Sequence, residues 1–234
     1  MGDAIGLREV AFDTETTGLS AANGDRLIEV ACVELVDGFP TGATFHEYVD
    51  PQRDSHPEAL KVHGLTREFL TGKPLFRDLA PRLLEFFGDA QLVAHNATFD
   101  IGFVNAELAR VGLPALSNRA VDTVALAKQR LGAGAKVSLD DLCRKFGIDL
   151  SGREKHGALV DTQLLARVYL ELQGGRMRSL DFSTRTVADT ASRAPVAGVR
   201  PSRGLGGASA EELLRHAAFM ASINNNLWLP VPVG

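Results

Sequence analysis

An α/β domain followed by a tail of different texture is the architecture the sequence predicts, and three observations lead to it. Strand-like and helix-like apolar patterns alternate through residues 1–175, as they do when helices cover a sheet. The chain is 45% apolar and 23% charged over 234 residues, ordinary values for a protein that buries a core. Residues 183–207 then hold six Ser or Thr, four Gly, four Arg, two Pro and no aromatic residue, the composition of a flexible linker.

Each element has its own signal. Residues 7–13, 27–36 and 44–49 read as strands, separated by the turn-forming stretches Thr-Gly-Leu-Ser and Asp-Gly-Phe-Pro-Thr-Gly. Connections this short favour antiparallel pairing. A helix is expected near 76–87, where Pro81 predicts a kink or a late start. A short strand, 91–95, comes next. Helices follow near 98–111, 123–131, 138–146 and 157–172. A domain of this length buries roughly 70% of its unfolded surface. The longest apolar stretch, 27–36, is broken by Glu29 and Glu34, so no segment is expected to span a bilayer. Cys32 and Cys143 make neither a disulfide framework nor a metal motif, and a reducing cytoplasm is the expected location.

The net charge of −4 conceals a division. Residues 1–175 carry 18 basic and 25 acidic side chains, a balance of −7, and residues 176–234 carry 7 and 4, a balance of +3. An acidic domain argues against nucleic acid if a basic footprint is the only route to it. The argument fails if clustered acids hold cations.

Several acids stand where acids are costly. Asp13 ends an apolar strand and Glu15 lies two residues on, a spacing that puts both on one face. Two adjacent carboxylates raise each other's pKa unless a cation lies between them. On the last helix, at about 100° per residue, Asp161 falls in the middle of a stripe formed by Leu164, Leu165, Val168 and Leu172. A carboxylate there needs a cation or a hydrogen-bond donor. Asp100 repeats the pattern beside Phe103, Val104, Leu108 and Val111. His156 precedes Asp161 by five residues, so the two meet only if His156 lies in the preceding loop and reaches over the first turn.

Phe-Asp13-Thr-Glu15-Thr-Thr-Gly-Leu, His95-Asn96-Ala-Thr-Phe-Asp100 and His156-Gly-Ala-Leu-Val-Asp161 resemble, in order and separation, the three motifs of the DnaQ-like exonuclease superfamily in its DEDDh form. Within it, Pro57-Glu58-Ala59-Leu60 leading to His63-Gly64 is similar to a loop of the ε proofreading subunits of bacterial DNA polymerase III. The likeness covers residues 7–175. It implies a ribonuclease H-like fold: a central mixed five-stranded sheet, the first three strands an antiparallel meander, flanked by helices. It also implies a 3′→5′ exonuclease that removes mispaired 3′-terminal nucleotides as 5′-monophosphates. Oxygen ligands suit Mg²⁺ or Mn²⁺. By the resemblance, Asp13 bridges two ions, Glu15 and Asp161 complete one site, Asp100 supports the other, and His156 is the general base. Thr16 and Leu19 match positions beside the terminal sugar and base, with His63, Asn96 and Phe99 as further substrate contacts.

Residues 208–234 predict a partner-binding helix. Ser209 and Glu212 form a capping box, and Leu213, Leu214, Ala217 and Met220 lie on one arc, with Phe219 opposite. Together with Leu227 and Trp228 this segment is similar to the ε segment that binds the polymerase α subunit. The 25-residue linker before it would span roughly 25–30 Å as a random coil. Between domain and linker, residues 176–182 offer Met177, Leu180 and Phe182, a segment similar to a β sliding-clamp motif, with Met177 where that motif prefers Gln. Two other functions fit parts of the sequence: an RNA-trimming exonuclease of the same superfamily, and a catalytically silent replicase adaptor, against which the intact acidic set argues.

Overall fold

The computed structural model describes residues 6–151 and 156–174, together with Glu211, Leu214 and Arg215. The chain divides into two units, Met1–Phe182 and Ser183–Gly234, and the fold below is that of the first. Its sheet has the order β3-β2-β1-β4-β5. Strands β1 (Arg8–Thr16), β2 (Leu27–Val36) and β3 (Phe39–Tyr48) form an antiparallel meander. Strands β4 (Gln91–Ala94) and β5 (Ala120–Asp122) continue it in parallel.

Helices cover both faces. On one face α3 (Phe76–Phe87) and α4 (Ala97–Arg110) pack on Val10, Phe12, Val30, Cys32 and Leu92. On the other, α7 (Ala158–Leu172) meets Ala11, Val33 and Val93. Helices α5 (Thr123–Leu131) and α6 (Leu139–Phe146) pack against α7 through Ala127, Leu142 and Cys143. Both cysteines are buried. Among the described residues no helix is long and apolar enough to cross a membrane.

The run of β1 against α7 places the acidic residues. Side chains alternate along a strand, so Glu9, Ala11, Asp13 and Glu15 share the face that meets α7. Tyr169 donates its hydroxyl to buried Glu9 at 2.6 Å, Leu165 packs in the cluster with Ala11, and Asp161 lies one turn further on. Four strand residues cover about 13 Å and eight helical residues about 12 Å. The two elements therefore keep step from the Glu9–Tyr169 contact to the end of β1.

Some expectations change. β1 runs on through Thr16 rather than ending at Asp13, because its ladder with β2 continues to a register shift between Glu15 and Thr16. β3 begins at Phe39 instead of 44; as an edge strand it tolerates Pro40 and Gly42. The segment expected as a loop is helix α1 (Pro57–His63), with Pro at its first position, where no hydrogen bond is lost. A second short helix, α2 (Arg67–Leu70), follows. Helix α3 begins at Phe76 with Pro81 inside it, so the start is not late.

Candidate active site

The site forms where β1 outruns its neighbour β4. Pairing between them ends at Ala11 and Val93, which leaves the edge of β1 beyond Phe12 open to other partners. Asp100, in the first turn of α4, fills it: its Oδ1 accepts from the backbone N–H of Thr14 at 3.0 Å and from the Thr14 hydroxyl at 2.7 Å. From the other side of the sheet comes Asp161, in the first turn of α7. Both aspartates are buried, at 3% and 4% exposure.

His156 lies in the segment before α7, exposed, with Nδ1 3.1 Å from Asp161 Oδ2. An ionised carboxylate only accepts, so toward it Nδ1–H is the donor of this pair, which leaves proton acceptance to Nε2. One ligand atom each from Glu15, His156 and Asp161 fall within 4.8 Å of one another. Asp13 sits between these groups. Burial, and then the charges of Asp100, Glu15, Asp161 and Glu29, push its carboxyl well above the usual carboxylate range. Burial likewise pushes Asp100 up to about 7, against the opposing hydrogen bonds from Thr14.

The residues expected at the substrate separate into groups. Thr16 is buried at the end of β1 and donates to Gly18 O at 2.6 Å. Leu19 is 86% exposed beyond it, beside a cavity of about 610 Å³ that Ala59 and Val62 of α1 also line. His63 is buried. Its Nδ1 accepts from Leu65 N at 2.9 Å, and its buried Nε2 has no hydrogen-bond partner among the described residues. Asn96 is exposed at the start of α4 in a left-handed conformation, φ 70°, and donates its backbone N–H to Asp122 Oδ1 at 3.0 Å. Phe99 is half-buried against the ring of Phe103, at 4.9 Å. In the tail, Leu214 is exposed. Met177, Leu180, Phe182, Leu213, Ala217, Phe219, Met220, Leu227 and Trp228 lie outside the described residues.

A model of the Exonuclease family matches residues 10–169. Curated relatives are DNA polymerase III ε subunits. That of Rickettsia felis is 41% identical over 93% of this chain and 97% of its own length. That of Rickettsia typhi is 47% identical, covering 73% and 76% of the two chains. That of Salmonella typhimurium is 42% identical over 72% of each. The chain belongs to the exonuclease family, among the DNA polymerase III ε subunits. Of the solved structures, exonuclease X in complex with 5′-overhanging duplex DNA is 28% identical with a TM-score of 0.57, over 70% of this chain and 90% of that one. Exonuclease I of Escherichia coli with a dA16 oligonucleotide has a TM-score of 0.64 at 18% identity, over 75% and 42%, and shares the fold.

Exonucleases of this family generally use divalent metal ions, and the residues present fit one. Asp13, Glu15, Asp100 and Asp161 gather negative charge around one point, where Asp100, Glu15 and Asp161 each push the Asp13 carboxyl up, and a cation offsets such a cluster.

Sequence reasoning missed two members of the site. Glu29, buried on β2, lies directly opposite Glu15 in the ladder and bonds His46 Nε2 at 2.7 Å. Its signal was present: like Glu34, it interrupts the apolar run of β2. Asp122 ends β5 and accepts from both Asn96 N and Val124 N; a strand of three residues has no periodicity to reveal it.

Proposed function

We propose that this chain is the proofreading 3′→5′ exonuclease of a bacterial DNA polymerase III, working in the cytoplasm and releasing nucleoside 5′-monophosphates from a mispaired DNA end. The observation that carries the reading is the meeting of Glu15, His156 and Asp161 within 4.8 Å at the end of the strand that bears Asp13. Asp13, Glu15 and Asp161 would hold one Mg²⁺ or Mn²⁺, and Asp13 with Asp100 a second. Bound there, the ions would offset the carboxylates and stabilise charge on the attacking and leaving oxygens of the phosphodiester. Asp161 orients His156 through Nδ1–H, so that Nε2 accepts the proton of the attacking water. Exposed Leu19 and half-buried Phe99 offer apolar faces to the terminal bases, and such faces stack any base without reading it. Selectivity for errors then comes from the mispaired end, which unpairs more readily. Thr16, His63 and Asn96 complete the set around the terminal nucleotide.

The domains divide the work. Residues 1–175 carry the chemistry, 183–207 link, and 208–234 bind the α subunit through Leu213, Leu214, Ala217, Phe219, Met220, Leu227 and Trp228. Such a tether raises the local exonuclease concentration to about millimolar. Similarity to the Rickettsia felis subunit over 93% of the chain supports this, because so long a match reaches into the tail. Residues 176–182 would contact the β sliding clamp.

The test uses purified full-length protein with Mg²⁺ or Mn²⁺ and end-labelled substrates: DNA with paired and mispaired 3′ ends, and RNA of the same sequence. Faster trimming of the mispaired DNA is expected, with loss of trimming in Asp13→Asn. No trimming of DNA would overturn the reading, and trimming of RNA alone would favour the RNA-processing alternative.

A further inference from the structure

The connection between β1 and β2 is held by one buried carboxylate. Asp25, 4% exposed, accepts from Ser20 N at 3.0 Å and from the Thr17 hydroxyl at 3.3 Å. It also pairs with His56 Nε2 at 3.1 Å and Arg53 Nη2 at 3.4 Å. Four donors on one side chain fix its position closely, and two of them come from a segment about thirty residues away in sequence. The backbone repeats the tie, with His56 N donating to Thr17 O at 2.8 Å. Gly18 passes between the partners: a side chain there would run into Asp25 Oδ2 and His56 Cδ2.

This contact joins the two walls of the 610 Å³ cavity. Leu19 stands on one wall, immediately after Gly18. Val62 and Ala59 stand on the other, in α1, which His56 precedes. Among the described residues, helix α1 has little else to hold it. Its one buried residue is His63, Leu60 and Val62 are 36% and 47% exposed, and no side chain caps its start. Helices gain most of their stability from packing an apolar face, and α1 packs almost none. Its placement therefore depends on the His56 contacts.

We infer that Asp25 and His56 form a positioning clamp, which sets the separation of Leu19 from Val62 and His63 and so the fit of the unpaired 3′-terminal base. Neither residue is among the carboxylates and the histidine assigned to the chemistry. The inference rests on the exonuclease reading, since it takes this cavity as the seat of the terminal nucleotide. Loosening the clamp weakens capture of the end and leaves the carboxylates of the site where they are.

The experiment compares full-length wild type with His56→Ala, His56→Gln and Asp25→Asn. His56 is 58% exposed, so its variants should fold, and thermal midpoints check this. Two readouts are taken: kcat and KM on single-stranded DNA with Mg²⁺, and thermal-shift titration with deoxythymidine 5′-monophosphate and Mn²⁺. For His56→Ala, KM and the nucleotide dissociation constant should each rise about tenfold, with kcat changed less than about twofold, because misplacing a binding wall by a fraction of an ångström costs this much. His56→Gln, which keeps a donor for Asp25, should recover most of the loss. Unchanged KM and nucleotide affinity in His56→Ala would overturn the clamp, even with a lowered thermal midpoint. A fall in kcat at constant KM would overturn it as well. A wild type that neither trims DNA nor binds the monophosphate would instead sink the exonuclease reading.

Discussion

Asp13 stands among more negative charge than a folded chain holds comfortably without a counter-ion, and this sets two expectations. Asp13→Asn removes the repulsion and, on the proposed reading, the central ligand together. Trimming should fall by roughly 10³-fold or more, since several kcal/mol of charge stabilisation are lost. In EDTA the same variant should melt a few degrees higher than wild type, and calorimetry with and without Mg²⁺ checks both signs. Asp100 gives the pH dependence. Burial raises its carboxyl to about 7 in the metal-free protein, while in the unfolded chain it titrates near its ordinary value of about 4. The native state thus keeps a proton that the unfolded state has lost, and stability falls as pH rises through that window. In EDTA the thermal midpoint should drop between about pH 4 and pH 7, and Mn²⁺ should flatten the drop. A midpoint that rises through this range would refute the assignment.

At the scale of elements, what could be read from the sequence was whatever repeats. The stripe on α7 and the apolar runs of β1 and β2 have a period, and Asp13, Asp100 and Asp161 were visible because they break it. β5 and α2 are too short to have one, and α1 and the first half of β3 contain Pro and Gly that mark turns more often than elements. Glu29 broke the pattern of β2 just as plainly, but only the ladder opposite Glu15 reveals what it faces. Arg26 illustrates a contact with no sequence signal at all. It makes a forked pair with fully buried Glu107 of α4, at 2.6 and 2.9 Å, and so ties the start of β2 to that helix. Arg110 shares the same carboxylate at 2.8 Å. Arg26→Ala should cost about 3 kcal/mol in a denaturant titration, because it leaves a buried charge short of partners. The double change Arg26→Met with Glu107→Leu should cost less than the single one. If the two cost the same, the carboxylate is not what suffers.

For the whole molecule, the charge divides near residue 175, with a balance of −7 up to it and +3 beyond it. Among the described residues, the three apolar clusters of the core draw on residues between Val10 and Leu172. The proposed cation site would account for part of the acidic balance of residues 1–175, and a net charge of −7 does little to attract DNA from solution. On the proposed reading, a domain built this way would trim well only when the end is delivered to it. Truncation after Gly207 should therefore leave the thermal midpoint within about 1 °C and the turnover of short single strands nearly unchanged. In the same variant, co-purification with the polymerase subunit and excision of a mispaired end during synthesis should both be lost, the second by about 10²-fold if tethering is what raises the local concentration. Side-by-side assays of the truncated and full chains, with the oligonucleotide alone and with the polymerase present, separate the two effects. A truncated chain that still travels with the polymerase would place the docking surface on the domain. One that loses turnover on free oligonucleotides would show that the tail serves the active site as well.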